Sequence, residues 1–330
     1  MDKKTLFSGI QPTGEFHLGN YLGALKNWVD LQNSGEYNCI YSIVDLHAMT
    51  IDYDVKSYQE KVISNAIDLL SIGVDPQKSI LFLQSQVPEH SVLCWILNTI
   101  VPVSELERMT QYKDKARKND KNINMGLLDY PVLMVADILL YKSEFVPVGE
   151  DQTQHLELTN IILRKFNNKF GEYFQKVNPI YTKGTRIRSL QDPNRKMSKS
   201  MGEKSCLLLN DSPDAITKKI MSSVTDTGPQ KSIHMSPGVD NLFTILELLA
   251  DPEIAKKFNV DYHNRVLKYS ELKTALADVV NKHLEPIREK RRELENDKGS
   301  VLKILEEGRE KAKSIAEQNM KEIKNLVGLI

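Results

Sequence analysis

From Thr5 to roughly Phe166 short apolar runs alternate with stretches of helical periodicity, and this alternation limits most what the chain can fold into. Thr5-Leu6-Phe7 makes a brief strand, ended by Ser8-Gly9 and the loop Gln11-Pro12-Thr13-Gly14. Leu18, Tyr21, Leu22, Leu25, Trp28 and Val29 then recur at helical spacing. Cys39 to Val44 reads as a buried strand. Val55, Tyr58, Val62, Ala66, Leu69 and Leu70 mark an amphipathic helix that stops near Gly73, with Pro76 just beyond. Ser79 to Leu83 and Phe145 to Val148 read as further strands, the second followed by a helix through roughly Phe166. Strands that alternate with helices pair in parallel and carry helices on both faces. The expected class is α/β, a doubly wound parallel sheet.

Between the third and fourth strands lie about 60 mostly helical residues, including a basic, polar stretch from Lys113 to Asn124 that reads as an exposed loop. No convincing strand follows Leu209. Helical patterns run from Ser212 to the end, and the last long helix is interrupted near Gly299 and Ser300. A boundary near Leu190 gives two domains, 1–190 and 191–330, as the length suggests. Lys+Arg and Asp+Glu are 44 each, and hydrophobic residues are 41%, which excludes disorder and collagen-like repeats. Zero net charge leaves a nucleic-acid partner open, because such binding needs only a local patch. No window holds 18 consecutive apolar residues, and Met1-Asp2-Lys3-Lys4 opens no signal-like segment. Cys39, Cys94 and Cys206 lack any CxxC spacing, so reduced thiols and no metal site are expected. The chain reads as cytoplasmic, with no membrane partner.

Two short words carry chemistry. His17-Leu18-Gly19-Asn20 lies between the first strand and the first helix, where a doubly wound sheet offers a helix N-terminus to phosphate. Gly19 lets backbone approach a nucleotide, and His17 and Asn20 can place donors on phosphate oxygens. Alone, the tetrapeptide is weak and reads better as a helix-start turn with a surface histidine. Lys196-Met197-Ser198-Lys199-Ser200 follows a turn and suits a loop that closes on polyphosphate. A given five-residue word arises by chance in roughly one such chain in ten thousand. Its place about 180 residues after the histidine turn makes coincidence remote.

This pair resembles the two signatures of the class I aminoacyl-tRNA synthetases. The segments FSGIQPTG (7–14), SELERMTQYK (104–113), LLDYPVLMVADILLY (127–141) and VPVGEDQTQHLELT (146–159) are similar to the bacterial tryptophanyl-tRNA synthetase family. The resemblance implies a Rossmann-type catalytic domain with a helical dimerisation insertion at about 85–140. It implies also an α-helical anticodon-binding domain whose last helix packs back on the catalytic domain, and a homodimer. Leu46 departs from the pattern, since relatives often carry glutamine there. No cysteine follows Cys206, so no iron–sulfur cluster of the kind some relatives carry is expected.

By the same resemblance, ATP and Mg²⁺ are used to activate L-tryptophan, which is then passed to tRNA(Trp). Gln11, Pro12, Thr13, Gly19, Asn20, Gly149, Glu150, Asp151, Ile187 and the loop Lys196, Met197, Ser198, Lys199, Ser200 would bind ATP. Lys196, Lys199, His17 and Asn20 would act in catalysis. As bare sequence, Glu150 and Asp151 fit better as an acidic pair at a helix start. Asp137 sits in an apolar helical run, where a lone carboxylate is costly without a partner. Indole offers one N–H and no acceptor, so a fixed carboxylate complements it. A core aspartate satisfied locally is the competing reading. Phe7, Met134, Val146 and Val148 would supply apolar walls, and Asp129 reads as a surface residue. Lys113 to Lys121 fits either a phosphate or tRNA contact or a solvated loop, and Arg288 to Arg292 is a candidate tRNA contact. A tyrosyl-tRNA synthetase and a small-molecule nucleotidyltransferase are the rival readings.

Overall fold

The computed structural model describes residues 3–118, 123–149, 153–181, 186–226 and 235–330. Among them, β1 (Lys4–Ile10), β2 (Tyr37–Ile43), β3 (Ser79–Leu83), β4 (Phe145–Val148) and β5 (Asn178–Tyr181) form one sheet in the order β3-β2-β1-β4-β5. Every neighbouring pair is parallel, with Leu6 opposite Cys39 on one side and Phe145 on the other. The α/β doubly wound expectation holds. β2 and β3 are mostly apolar, with Asn38, Ser42 and Ser79 the exceptions, as suits strands covered on both faces. β5 was not foreseen. Its Asn-Pro-Ile-Tyr has a proline with no N–H to give the ladder, which an edge strand tolerates.

The chain divides into two compact units. The first comprises Met1–Gly14, Asn27–Thr182 and Asp297–Ile330; the second comprises Glu15–Lys26 and Lys183–Asn296. A single cut near Leu190 therefore does not describe them. In the first unit the sheet is flanked by α4 (Val55–Ser71), α5 (Glu89–Asn98), α8 (Met125–Leu140), α9 (Thr153–Phe170) and α14 (Lys298–Val327). Asp54 caps α4 and Asn124 caps α8, each by accepting a backbone N–H of the first turn. α14 lies directly on β3: a Cβ at Gly308 would fall 1.8 Å from the carbonyl oxygen of Leu81. The basic stretch read as a loop is helical as far as Lys118, in α7 (Thr110–Lys118). Its lysines, arginine and alanine are all good helix formers. Asp129 is half-buried and accepts a hydrogen bond from the Asn98 amide, which corrects its surface reading.

In the second unit, the described residues from Pro213 onwards lie mostly in helices. The apolar stripe Leu272, Leu276, Val280 and Leu284 of α13 (Tyr269–Asn296) is buried against α10 (Pro213–Met221) and α11 (Pro237–Leu249). Lys273 donates to the carbonyls of Met221 and Ser223 where α10 ends, a cation at the negative end of a helix. Of the Arg288 to Arg292 cluster, Arg291 is buried and pairs with Glu295, and Arg288 bonds to Asn281. No helix among the described residues is long and apolar enough to cross a membrane.

Candidate active site

At the centre of the sheet β1 and β4 are neighbours, but the chain leaves β1 towards β2 and returns to β4 on the other side. Such a reversal opens a crevice beyond the carboxyl ends of the strands, where open α/β sheets bind ligands. A cavity of about 430 Å³ lies there, a size suited to a small molecule. Phe7, Gly9 and Gln11 line it from β1 and the loop that follows, and Val146 and Val148 from β4. Tyr130, Met134 and Asp137 enter from α8, Gln111 from α7 and His155 from α9. All five residues expected to hold tryptophan are thus together, with Gln11 beside them.

Asp137 is fully buried, and its partners were not visible in sequence. Its Oδ1 accepts from Gln84 Nε2 and His90 Nδ1, each at 2.7 Å, and its Oδ2 from His47 Nε2 at 2.8 Å. Burial alone pushes its pKa up, but the two histidines outweigh that and hold it below the ordinary carboxylate value. The group is an anion whose cost of burial is met by three donors. An ionised carboxylate has about four acceptor positions, so one, on Oδ2, is left for a ligand. Gln84, His90 and His47 lie 53, 47 and 90 residues away in sequence, and no local pattern links them to Asp137. Leu46 is not in this cavity; it lines a separate recess with Trp95 and Asp129.

The phosphate-type residues gather in the second unit. Phe16 and Leu18 pair with Leu207 and Leu209 through backbone hydrogen bonds of 2.9 and 2.7 Å, which fixes His17 between them. His17 caps α1 (Leu18–Asn20): its Nδ1 accepts the Asn20 N–H while Asn20 Oδ1 accepts the His17 N–H. Burial and the nearby Lys196 lower the His17 pKa to about 4, so the ring is neutral at pH 7 with its proton on Nε2. That leaves His17 Nε2–H and the Asn20 amide as donors. A Cβ on Gly19 would sit 3.1 Å from the His17 ring and 3.3 Å from Met197 Cβ, so only glycine packs there without displacement.

The Lys196 to Ser200 segment is held by pairing with residues 187–189: the Met197 N–H donates to the Ile187 carbonyl at 3.0 Å. Met197 and Ile187 are buried, whereas Lys196 and Lys199 are exposed. Ser198 and Ser200 hydroxyls bond to each other at 2.9 Å, and Lys199 forms an ion pair with Glu15, which Asn210 also contacts. Pro12, Thr13 and Gly149 belong to the first unit. Glu150 and Asp151 lie outside the described residues, as do 119–122 of the basic stretch.

The family model of "tRNA synthetases class I (W and Y)" matches residues 2–285. The tryptophan–tRNA ligase of Wolinella succinogenes is 44% identical over the whole of both chains. Among solved structures, the tryptophanyl-tRNA synthetase of Campylobacter jejuni complexed with ADP and tryptophan is 35% identical, with a TM-score of 0.86. That similarity covers 98% of this chain and all of the other. The Mycoplasma pneumoniae tryptophanyl-tRNA synthetase is 34% identical at the same TM-score, over 100% of this chain and 99% of its own. A buried anionic acceptor in an apolar cavity, the two signature segments and full-length similarity therefore agree: the chain belongs to the class I tRNA synthetases for tryptophan and tyrosine, among their tryptophan–tRNA ligases.

Proposed function

We propose that the cavity at the carboxyl ends of β1 and β4 holds the side chain of tryptophan, with the indole N–H donated to Oδ2 of Asp137. Phe7, Met134, Val146 and Val148 enclose the ring. The carrying observation is Asp137 itself, an anion with a single acceptor position left, matched to a ring with a single donor. Tyrosine would bring an oxygen that also accepts, and the wall offered by Phe7 has nothing to donate to it.

The enzyme uses ATP as a substrate. The tryptophan carboxylate attacks the α-phosphorus, a new P–O bond forms, and the bond to the β-phosphate breaks to release pyrophosphate. A terminal ribose hydroxyl of tRNA(Trp) then attacks the adenylate carbonyl and displaces AMP. Neither step needs a protein nucleophile, so the chain's task is to position reactants and to meet developing charge. The neutral His17 Nε2–H and the Asn20 amide donate to phosphate oxygens, and Lys196 and Lys199 take up the charge of the leaving pyrophosphate. Gln11, Pro12, Thr13, Gly19, Gly149 and Ile187 bind the rest of the nucleotide. Mg²⁺ enters as part of Mg–ATP, with phosphate oxygens as its ligands.

The helices of the second unit read as the anticodon-binding part, the enzyme as cytoplasmic, and the assembly as a two-fold homodimer. For the dimer, the supporting feature is Trp95, 73% exposed on α5 at the rim of an apolar recess. Amino-acid-dependent ATP–pyrophosphate exchange, run across all twenty amino acids, tests the substrate assignment. Tryptophan is expected to drive it; faster exchange with tyrosine or any other amino acid overturns the reading.

A further inference from the structure

Behind the cavity lies a second layer of buried polar groups that the two-step reaction does not use. His90 has no exposed surface, and both its ring nitrogens are engaged: Nδ1 with Asp137 Oδ1 at 2.7 Å and Nε2 with the Tyr141 hydroxyl at 2.9 Å. Tyr141, 2% exposed where α8 ends, also stacks its ring on Phe7, with centroids 5.7 Å apart and planes within 10°. Phe82 packs against the rings of both His90 and Tyr141. One tyrosine thus touches the apolar wall of the cavity directly and its acceptor through one histidine.

The direction of these hydrogen bonds follows from chemistry. Burial, and after it the Asp137 charge, hold the Tyr141 phenol far above its ordinary pKa, so the hydroxyl keeps its proton and can donate. When Tyr141 donates, His90 Nε2 must accept, and the ring carries its proton on Nδ1, facing Asp137. The carboxylate favours the same tautomer, since a lone pair on Nδ1 would face its charge at 2.7 Å; without the hydroxyl, Nε2 loses its only donor and the ring loses the anchor that holds it against Oδ1. Oδ1 is saturated only while the ring is held there, since Gln84 supplies just one of its two hydrogen bonds. A saturated Oδ1 leaves the remaining acceptor position on Oδ2, beside the donor from His47.

We propose that Tyr141 and His90 are positioning residues for amino-acid selection. By anchoring the imidazole with its Nδ1–H on Oδ1 of Asp137 they occupy that oxygen and restrict the site to one acceptor, set for a flat ring with a single N–H donor. The proposal rests on the indole reading of the cavity and adds the residues that make Asp137 selective. They touch neither ATP nor the reacting carboxylate, so their effect falls on amino-acid choice.

The test compares kcat/KM in pyrophosphate exchange for tryptophan and for its benzothiophene isostere, in which sulfur replaces the N–H. Tyr141→Phe removes one oxygen and keeps the ring stacked on Phe7. It should lower the tryptophan-to-isostere ratio by roughly five- to tenfold, the effect of one buried hydrogen bond, through KM for tryptophan and with KM for ATP unchanged. His90→Leu should lower the ratio further. His90→Asn, whose amide can stand in for Nδ1–H, should restore much of it. An unchanged ratio in Tyr141→Phe, with its circular dichroism melt intact, overturns the proposal; should His90→Leu not fold, Tyr141→Phe and His90→Asn decide between them. If the wild-type enzyme itself fails to prefer tryptophan over the isostere, the indole reading falls first, and that outcome is distinct.

Discussion

His17 and Asn20 cap one another: the imidazole Nδ1 accepts the Asn20 N–H and the Asn20 carbonyl oxygen accepts the His17 N–H, both at 3.1 Å. The exchange serves structure and chemistry together. It closes the first turn of α1, and it directs the one imidazole proton away from the backbone, to where a phosphate oxygen would need it.

This arrangement makes stability depend on acid. An unfolded histidine takes up its proton near pH 6.5, whereas folded His17 does so only near 4. Between those values the unfolded state binds more protons, so stability falls as pH is lowered through the window. His17→Asn keeps an acceptor for the cap and has no proton to gain. Urea unfolding at pH 7 and pH 4.5 should show the wild type losing about 2 kcal/mol more than the variant over that interval. Equal losses in the two proteins would contradict the buried neutral ring.

Lys199 is held by Glu15, whose carboxyl is kept below its ordinary pKa by the lysine first and by Asn210 next. The pair therefore persists at neutral pH and breaks only as pH falls below the usual glutamate range. Lys199→Ala should slow pyrophosphate exchange by roughly 10²–10³-fold, with tryptophan affinity little changed, as expected for charge met only in the transition state. An exposed ion pair contributes only about 0.2–1 kcal/mol. Glu15→Gln should accordingly raise the rate by no more than about fivefold if that pair has to open. Near-normal exchange in Lys199→Ala would remove the assignment.

Much of this molecule was legible in sequence where physical cause is local. β2 and β3 announce themselves because a strand covered on both faces is largely apolar, as the runs Cys39 to Tyr41 and Ile80 to Leu83 are. β5 does not, since four residues with a proline carry no such run. The helix from Thr110 was masked by its charge, because Tyr112 and Ala116 are too few apolar residues to mark a periodic stripe. The signature segments and Asp137 were visible as anomalies, a rare word and a carboxylate among apolar residues. His47, Gln84, His90 and Tyr141 were not, because the demand that they satisfy arises only when distant segments pack around a buried charge.

Gly308 sets propensity against sterics. In the middle of a helix, alanine for glycine normally stabilises by about 1 kcal/mol. Here the added Cβ would lie 1.8 Å from the Leu81 carbonyl oxygen, a backbone atom of β3 that no rotamer change can move. The clash should win, with Gly308→Ala destabilising the protein by several kcal/mol or detaching α14 from the sheet. A melting temperature at or above that of the wild type would show that α14 can rise without loss.

Trp95 offers a test of the assembly. Burying so large an exposed aromatic at a two-fold axis would contribute strongly to association. Light scattering at micromolar concentration should give twice the chain mass for the wild type and a lower mass for Trp95→Asp. A wild-type monomer would rule out the dimer.

Asp137→Asn bears most directly on substrate choice. The cavity walls alone separate aromatic side chains by size and shape, which is worth only about 10–200-fold. The carboxylate adds a demand for a donor. Three fixed donors already face it, from Gln84, His90 and His47. An amide has one oxygen and one NH₂, so in either orientation the NH₂ opposes a donor. If its oxygen faces Gln84 and His90, the NH₂ meets both His47 and the indole N–H; if it flips, His90 and Gln84 lose their acceptor. Leaving a buried donor unpaired costs about 1–3 kcal/mol. The variant should therefore lose roughly 10–10²-fold in kcat/KM for tryptophan, while phenylalanine, which donates nothing, changes little. KM for ATP should stay near its wild-type value. The measurement is pyrophosphate exchange with both amino acids, normalised to folded protein. An unchanged tryptophan-to-phenylalanine ratio would make Asp137 a core residue whose charge only holds α8 to its neighbours, and selection would then rest on the shape set by Phe7, Met134, Val146 and Val148.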